Sequence, residues 1–150
     1  METVYVASSN VGLGVFAARD LGQGAEILSF KGVPVDAMHP IHGTEEGANL
    51  LQVGVRTYLL LESPGVFVNH SCCPNAGLRE AVRLVALRAI LAGEEIRFDY
   101  STSMNEDYWT MQCQCGEPGC RGVIRDFKYL PPETRQAYQA LGIVAPFVLG

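Results

Sequence analysis

The chain has 150 residues, 48% of them hydrophobic and 18% charged, with a mean hydropathy of +0.13 and a formal net charge of −5. That balance fits one compact domain with its own core and excludes a disordered chain; no run approaches the roughly 20 apolar residues of a membrane span. The acidic balance argues against nonspecific nucleic-acid binding, and it suits either a cationic, Lys/Arg-rich partner or an ordinary solvated surface.

Thr3-Val4-Tyr5-Val6 predicts a first strand, Ser8-Ser9-Asn10 a turn, and Gly12-Leu13-Gly14-Val15-Phe16-Ala17 a Gly-x-Gly loop between short strands. In isolation this run fits the dinucleotide fingerprint, but Gly22 and Gly24 follow too soon for the helix that fingerprint requires. What remains is a glycine loop that lets a ligand approach the backbone, or a plain turn. Ala25 to Phe30 predicts a strand ended by Gly32 and Pro34. Val35 to Gly54 predicts an irregular insert with one short element at Asn49-Leu50-Leu51. His39 and His42 lie in that insert without a thiol or carboxylate at matching spacing, which favours solvated loop histidines over a metal pair.

Arg56 to Leu61 predicts a strand, and Val66-Phe67-Val68 a buried one that delivers Asn69, His70 and Ser71 to its end before Pro74 and Asn75 stop it. Arg79 to Ile90 alternates, with Val82, Leu84 and Ala86 on one face, and predicts a single long strand. Beyond Gly93, a further strand places Ile96, Phe98 and Tyr100 on one face and Arg97 and Asp99 on the other. If the first face lines a pocket, it offers an aromatic wall and a phenol. Ser101 to Gln112 predicts irregular structure. Pro131-Pro132 opens a helix whose stripe is Leu130, Thr134, Ala137, Tyr138 and Leu141, stopped by Gly142. The apolar end, Ile143 to Leu149, must pack on the domain or on a second chain, as in a homodimer. Short strands with Gly/Pro turns and one helix make a mainly β fold.

Cys113-Gln114-Cys115 and Cys120 supply three corners of a tetrahedral zinc site, and Cys72 is the natural fourth. Such clustering favours metal over disulfides in a reducing compartment, and Met1-Glu2-Thr3 carries no sign of a secretory leader, so an intracellular, soluble protein is expected. Cys73 is left over as a small core or surface residue.

Four blocks in fixed order carry a family resemblance: Gly12 to Ala17, Asn69-His70-Ser71-Cys72-Cys73-Pro74-Asn75, Gly93-Glu94-Glu95-Ile96-Arg97-Phe98-Asp99-Tyr100, and Cys113 to Gly122. Over about Val4 to Val123 the chain resembles a SET domain, the fold of protein lysine methyltransferases that use S-adenosylmethionine. The resemblance implies a β-clip of several small sheets with a pseudoknot, then a post-SET zinc segment and a short C-terminal helix. The implied division is 1–110 for the SET domain, 111–123 for the post-SET segment, and 124–150 for the helix and apolar tail packed on the domain.

It further implies that Gly12, Leu13, Gly14, Asn69 and His70 hold the cofactor, and that Cys72, Cys113, Cys115 and Cys120 hold a structural Zn2+. Tyr100 is then the catalytic tyrosine, with Tyr58 and Phe98, joined by Trp109, walling the lysine channel. The implied function is transfer of methyl groups to a lysine-containing protein or peptide such as a histone tail, in the cytoplasm or on nuclear chromatin. The alternative is a catalytically silent SET-like module that binds a peptide or protein partner; the retained Tyr100 and Asn69-His70 pair argue against it. Phe98 stands where family members carry Phe or Tyr, and the absent hydroxyl leaves room for more than one methyl. Two departures touch the substrate groove: Val66 replaces a frequent Arg, and the insert from Gly32 to Arg56 is short.

Overall fold

The computed structural model describes residues 2–149. Its strands are β1 (Val4–Ser9), β2 (Gly12–Ala17), β3 (Glu26–Ser29), β4 (Gly32–Asp36), β5 (Leu50–Gln52), β6 (Thr57–Leu61), β7 (Asn69–His70), β8 (Ala76–Arg79), β9 (Arg83–Ala86), β10 (Glu95–Phe98), β11 (Met111–Gln112) and β12 (Val123–Ile124). They form sheets ordered β1-β2-β10-β7, β3-β9-β8 and β4-β6-β5, with β11-β12 as a separate ribbon. Two helices follow, α1 (Pro132–Leu141) and α2 (Pro146–Leu149), and no helix among the described residues is long and apolar enough to cross a membrane. The main core gathers Val15, Ile27, Leu84, Ile90, Ile96 and Phe98, and a smaller one gathers Phe127, Leu130, Tyr138, Ile143 and Val144. The two meet at Gly77, where an added Cβ would lie 2.7 Å from the Ile143 side chain.

The first turn falls at Asn10-Val11, one step later than expected, because Ser9 stays in β1 and its hydroxyl bonds the Val11 N–H and the Gly12 carbonyl. Gly12 at φ +106 is a position that favours glycine. Other expectations are corrected. Arg79 to Ile90 is not one strand: β8 and β9 form a hairpin that folds back through Glu80 and Ala81, both at positive φ. Neither residue carries the Gly or Asn signal of such a turn. Gly32 and Pro34 do not end a strand but belong to β4, which tolerates a proline because it is an edge strand. Val66-Phe67 lies in a 3-10 turn, Gly65–Phe67, and only Asn69–His70 pairs, parallel to β10.

The 101–112 region is more ordered than its polarity suggests: Tyr100–Ser103 is a 3-10 turn whose Ser101, Thr102 and Ser103 are buried. Helix α1 starts at Pro132 and ends on Gly142 at φ +69, but its stripe is narrower than expected. Tyr138 is buried, whereas Leu141 is 45% exposed. The tail packs back onto the domain through buried Ile143, Val144 and Ala145, and the Ala145 N–H donates to the Thr102 carbonyl.

Candidate functional site

The antiparallel ribbon β11-β12 closes a loop that runs from Cys113 to Gly122, whose carbonyl accepts the Cys113 N–H. Its tip brings Cys113, Cys115 and Cys120 to Cys72, just beyond β7, and the four sulfurs lie within 4.8 Å of one another. Cys72 and Cys113 are 3.8 Å apart, close to the roughly 3.8 Å edge of a tetrahedron with 2.3 Å zinc–sulfur bonds. No disulfide joins any of the cysteines among the described residues. Backbone N–H groups of Cys115 and Arg121 point at the sulfurs of Cys113 and Cys72, as expected around thiolates. This donor set fits a zinc ion.

Strand β10 and the residues after it divide the site by their period of two. Arg97 and Asp99 turn toward the cysteine loop. Arg97 forms an ion pair with Glu95 at 2.7 Å and reaches the Cys115 carbonyl at 3.5 Å. Asp99, almost fully buried, takes a two-pronged contact from Arg121 at 2.8 Å on each side, the Tyr138 hydroxyl at 2.9 Å and the Ser101 N–H at 3.0 Å. One carboxylate thus ties the residue after Cys120, helix α1 and the turn that carries Tyr100.

His70 completes this side. The Tyr100 N–H donates to its Nδ1 at 3.0 Å, which leaves the ring proton on Nε2, 3.3 Å from the Cys72 sulfur. Burial pulls its pKa down to about 4 against the opposing pull of Asp99, so the ring is neutral at pH 7. Both ring nitrogens are engaged inside the protein.

Beside them lies the Gly12–Gly14 end of β2, which is not the loop between strands that the sequence suggests but part of the β1–β2 ladder. The Asn69 side-chain amide donates to the Leu13 carbonyl at 3.0 Å and to the Glu95 carboxylate at 2.9 Å. Gly14 is needed because a Cβ there would stand 2.5 Å from that same carboxylate. Asn75 holds β10 in place through the Arg97 N–H and the Glu95 carbonyl, each at 2.9 Å.

Phe98 and Tyr100 face the other way, into a cavity of about 390 Å3. Its aromatic wall is Phe30, Tyr58, Phe98, Tyr100, Tyr108 and Trp109, with Leu51, Leu61 and Val68 filling between. The Phe98 and Tyr100 rings are 5.0 Å apart, Phe30 and Phe98 5.5 Å, and Tyr100 and Trp109 6.4 Å. The Tyr100 hydroxyl donates to the Val68 carbonyl at 2.6 Å, and burial, then the charge of Glu95, raises its pKa above the ordinary phenol value. Tyr58 is raised too, by burial and then by Glu106, whose carboxylate accepts its hydroxyl. His42 is no solvated loop residue: its ring packs edge-on against Tyr58 at 4.6 Å.

The structure therefore brings the expected residues into three adjoining groups: the four cysteines, the Gly12–Gly14 end of β2 with Asn69, and the Tyr58–Phe98–Tyr100 wall, with His70 between the first and last. Sequence reading misses Gln52, Glu106 and Asp126, which shape the cavity's rim across separations of 20 to 53 residues. It also misses the reach of Arg121, although its place directly after the third clustered cysteine is the one signal that marks it.

A parallel-paired Asn-His strand, a glycine-containing strand bonded to its Asn69, and a tyrosine-walled cavity beside a four-cysteine knot define a SET-type fold. The SET domain family matches residues 12–101, and the chain belongs to that family. Among its relatives, histone-lysine N-methyltransferase 2D of Homo sapiens is 27% identical over 137 residues, covering 80% of this chain and 2% of that protein. Histone-lysine N-methyltransferase trr of Drosophila melanogaster is 30% identical over 140 residues, covering 80% and 6%. The ash1 histone-lysine N-methyltransferase of the same fly is 46% identical over 66 residues, covering 39% and 3%. The chain thus spans a small part of these relatives.

Two solved structures share the fold. A humanized mutant of the Chaetomium thermophilum Polycomb Repressive Complex 2 gives a TM-score of 0.60 at 18% identity over 70% of this chain and 16% of that one. An autoinhibited ctPRC2 bound to S-adenosylmethionine gives 0.60 at 20%, over the same shares of both chains.

Proposed function

We propose that the chain is an S-adenosylmethionine-dependent protein lysine N-methyltransferase acting on a Lys-rich, histone-like tail. The observation that carries this is the placement of the Tyr100 phenol in an aromatic cavity wall, close to the glycine-containing start of β2 that Asn69 holds. Family membership, the names of the relatives and the acidic net charge support the substrate class.

S-adenosylmethionine, when bound, supplies an electrophilic methyl on a sulfonium. Gly12, Leu13 and Gly14 would hold it by their backbone, as would the side chain of Asn69 and the main chain of His70. Gly12 at φ +106 favours glycine, and a Cβ on Gly14 would crowd the Glu95 carboxylate that holds the Asn69 amide. The incoming amine must be neutral, and a lysine of pKa ~10.4 is neutral in about one molecule in 10³ at pH 7, a cost of roughly 4–5 kcal/mol. Walls made by Phe98, Tyr58, Tyr100 and Trp109 disfavour the ammonium and lower that cost. The Tyr100 hydroxyl donates its hydrogen bond to the Val68 carbonyl, so its oxygen lone pairs are left to align the amine and stabilise the charge that moves onto nitrogen. Its raised pKa makes it no base at neutral pH.

Cys72, Cys113, Cys115 and Cys120 would hold a structural zinc, since four thiolates leave no open coordination position. The test is transfer of label from the cofactor to a panel of histone tails. The wild-type chain is expected to label lysines, and Tyr100→Phe to slow transfer by about 10²-fold or more. Cofactor binding without transfer would favour the silent peptide-binding module.

A further inference from the structure

Resting on the reading of the cavity as a lysine channel, we propose that Glu106 is its specificity-determining residue: the carboxylate that receives the ammonium of the entering lysine and selects it over neutral side chains of the same length. Glu106 is the one carboxylate among the described residues that line this wall, which is otherwise built of aromatic, apolar and uncharged polar side chains with His42. A cation entering such a cavity loses hydration, and ring faces restore only part of it. A fixed anion supplies the rest.

Glu106 is fixed. Its own N–H and that of Asp107 donate to the buried Asp126 carboxylate at 2.9 and 2.7 Å. The residue before it, Asn105, is clamped by the buried Gln52 side chain, which accepts its N–H at 2.9 Å and donates to its carbonyl at 3.2 Å. From the opposite wall the Tyr58 hydroxyl donates to Oε2 at 2.5 Å, and among the described residues nothing donates to Oε1. That oxygen is the acceptor left for an incoming N–H.

The wall holds two contact clusters: Glu106 and His42 pack on Tyr58, while Phe30, Phe98, Tyr100 and Trp109 pack on one another. Capture of the cation and alignment of the amine thus fall to different residues. This division resolves a conflict in the chemistry, because a carboxylate holds a lysine in its charged form while transfer needs the neutral one.

Glu106→Gln keeps the shape and an acceptor for the Tyr58 hydroxyl and removes only the charge. In steady-state transfer to a lysine peptide, its peptide KM is expected to rise about tenfold, the scale of one partly buried charge contact, while the KM for S-adenosylmethionine stays put. The rising limb of the pH–rate profile moves to lower pH, because the bound ammonium gives up its proton more readily without the anion. The other titratable groups around it are Tyr58, Tyr100, Tyr108, His42 and Asp126, and Glu106→Asp, which restores the charge, is expected to return the limb toward the wild-type position. Calorimetry with a lysine peptide and its norleucine counterpart gives an answer that does not depend on turnover. The wild type is expected to prefer lysine by about tenfold in Kd, and Glu106→Gln to lose that preference. Equal Kd values for the two peptides on the wild type would overturn the proposal even if transfer occurs; absent transfer with the preference intact would overturn only the enzymatic reading.

Discussion

The two faces of the Glu95–Tyr100 segment are built in opposite ways. On the face of Arg97 and Asp99 every charge is matched: Arg97 by Glu95, Asp99 by Arg121, with Tyr138 and Ser101 completing the carboxylate. On the face of Phe98 and Tyr100 the side chains look into open volume with one hydrogen bond, from Tyr100 to Val68. The satisfied face spends its charges on one another and serves as a brace. The open face keeps capacity for a ligand, and it holds its shape because the brace lies one residue away along the same backbone.

The strongest way to break this contrast is to take out the metal knot. Chelation, or Cys115→Ser, is expected to abolish methyl transfer and to lower the melting temperature by about 10 °C or more, read by calorimetry on the loaded and stripped chain. Full turnover after stripping would mean that the cysteine loop braces nothing.

Next in size is Asp99→Asn, which leaves the Arg121 guanidinium half-buried against a neutral amide. Removing one partner of a buried pair costs about 3 kcal/mol, visible as a shift in denaturant midpoint. In a double-mutant cycle with Arg121→Met, additive losses would show that the two do not act as a pair.

Tyr138→Phe sharpens the comparison further by deleting a single donor to Asp99, at an expected cost of about 1–2 kcal/mol with little effect on the cavity face. A larger fall in kcat than in stability would place α1 in the open face after all.

The smallest effect is in pH. The folded-state pKa values of Tyr58, Tyr100 and Tyr138 are all raised, chiefly by burial, above the value of 10.0 that they take when unfolded. Their contribution to stability is therefore full below pH 10 and is lost as the pH climbs above it, because the unfolded phenols ionise first. Denaturant midpoints that hold up to pH 9.5 and decline beyond 10 are expected; a midpoint rising there would contradict the burial of these phenols.

The division of labour between the two faces is partly legible in the sequence. Alternation along Ile96 to Tyr100 separates the aromatic pair from Arg97 and Asp99, because a strand's period of two is written directly in its residues. The cysteine spacing and the Asn69-His70 pair are equally plain, as chemistry that few sequences combine. What stays hidden is tertiary. Nothing near Gln52 announces Asn105, and nothing near Glu106 announces Tyr58 or Asp126. The hairpin at Glu80-Ala81 is hidden for a local reason, since the turn uses residues that seldom adopt positive φ and the flanking alternation runs straight through it. Leu141 fits the helical stripe yet stays in solvent, because α1 touches the domain through Tyr138.

The most direct test is the mass spectrum of a lysine peptide after incubation with the zinc-loaded chain and S-adenosylmethionine. Methyl groups on lysine, reaching the di- or trimethyl form in the space left by the hydroxyl that Phe98 lacks, are the predicted result. An unmodified peptide, with cofactor binding established by calorimetry on the same sample, would contradict the account.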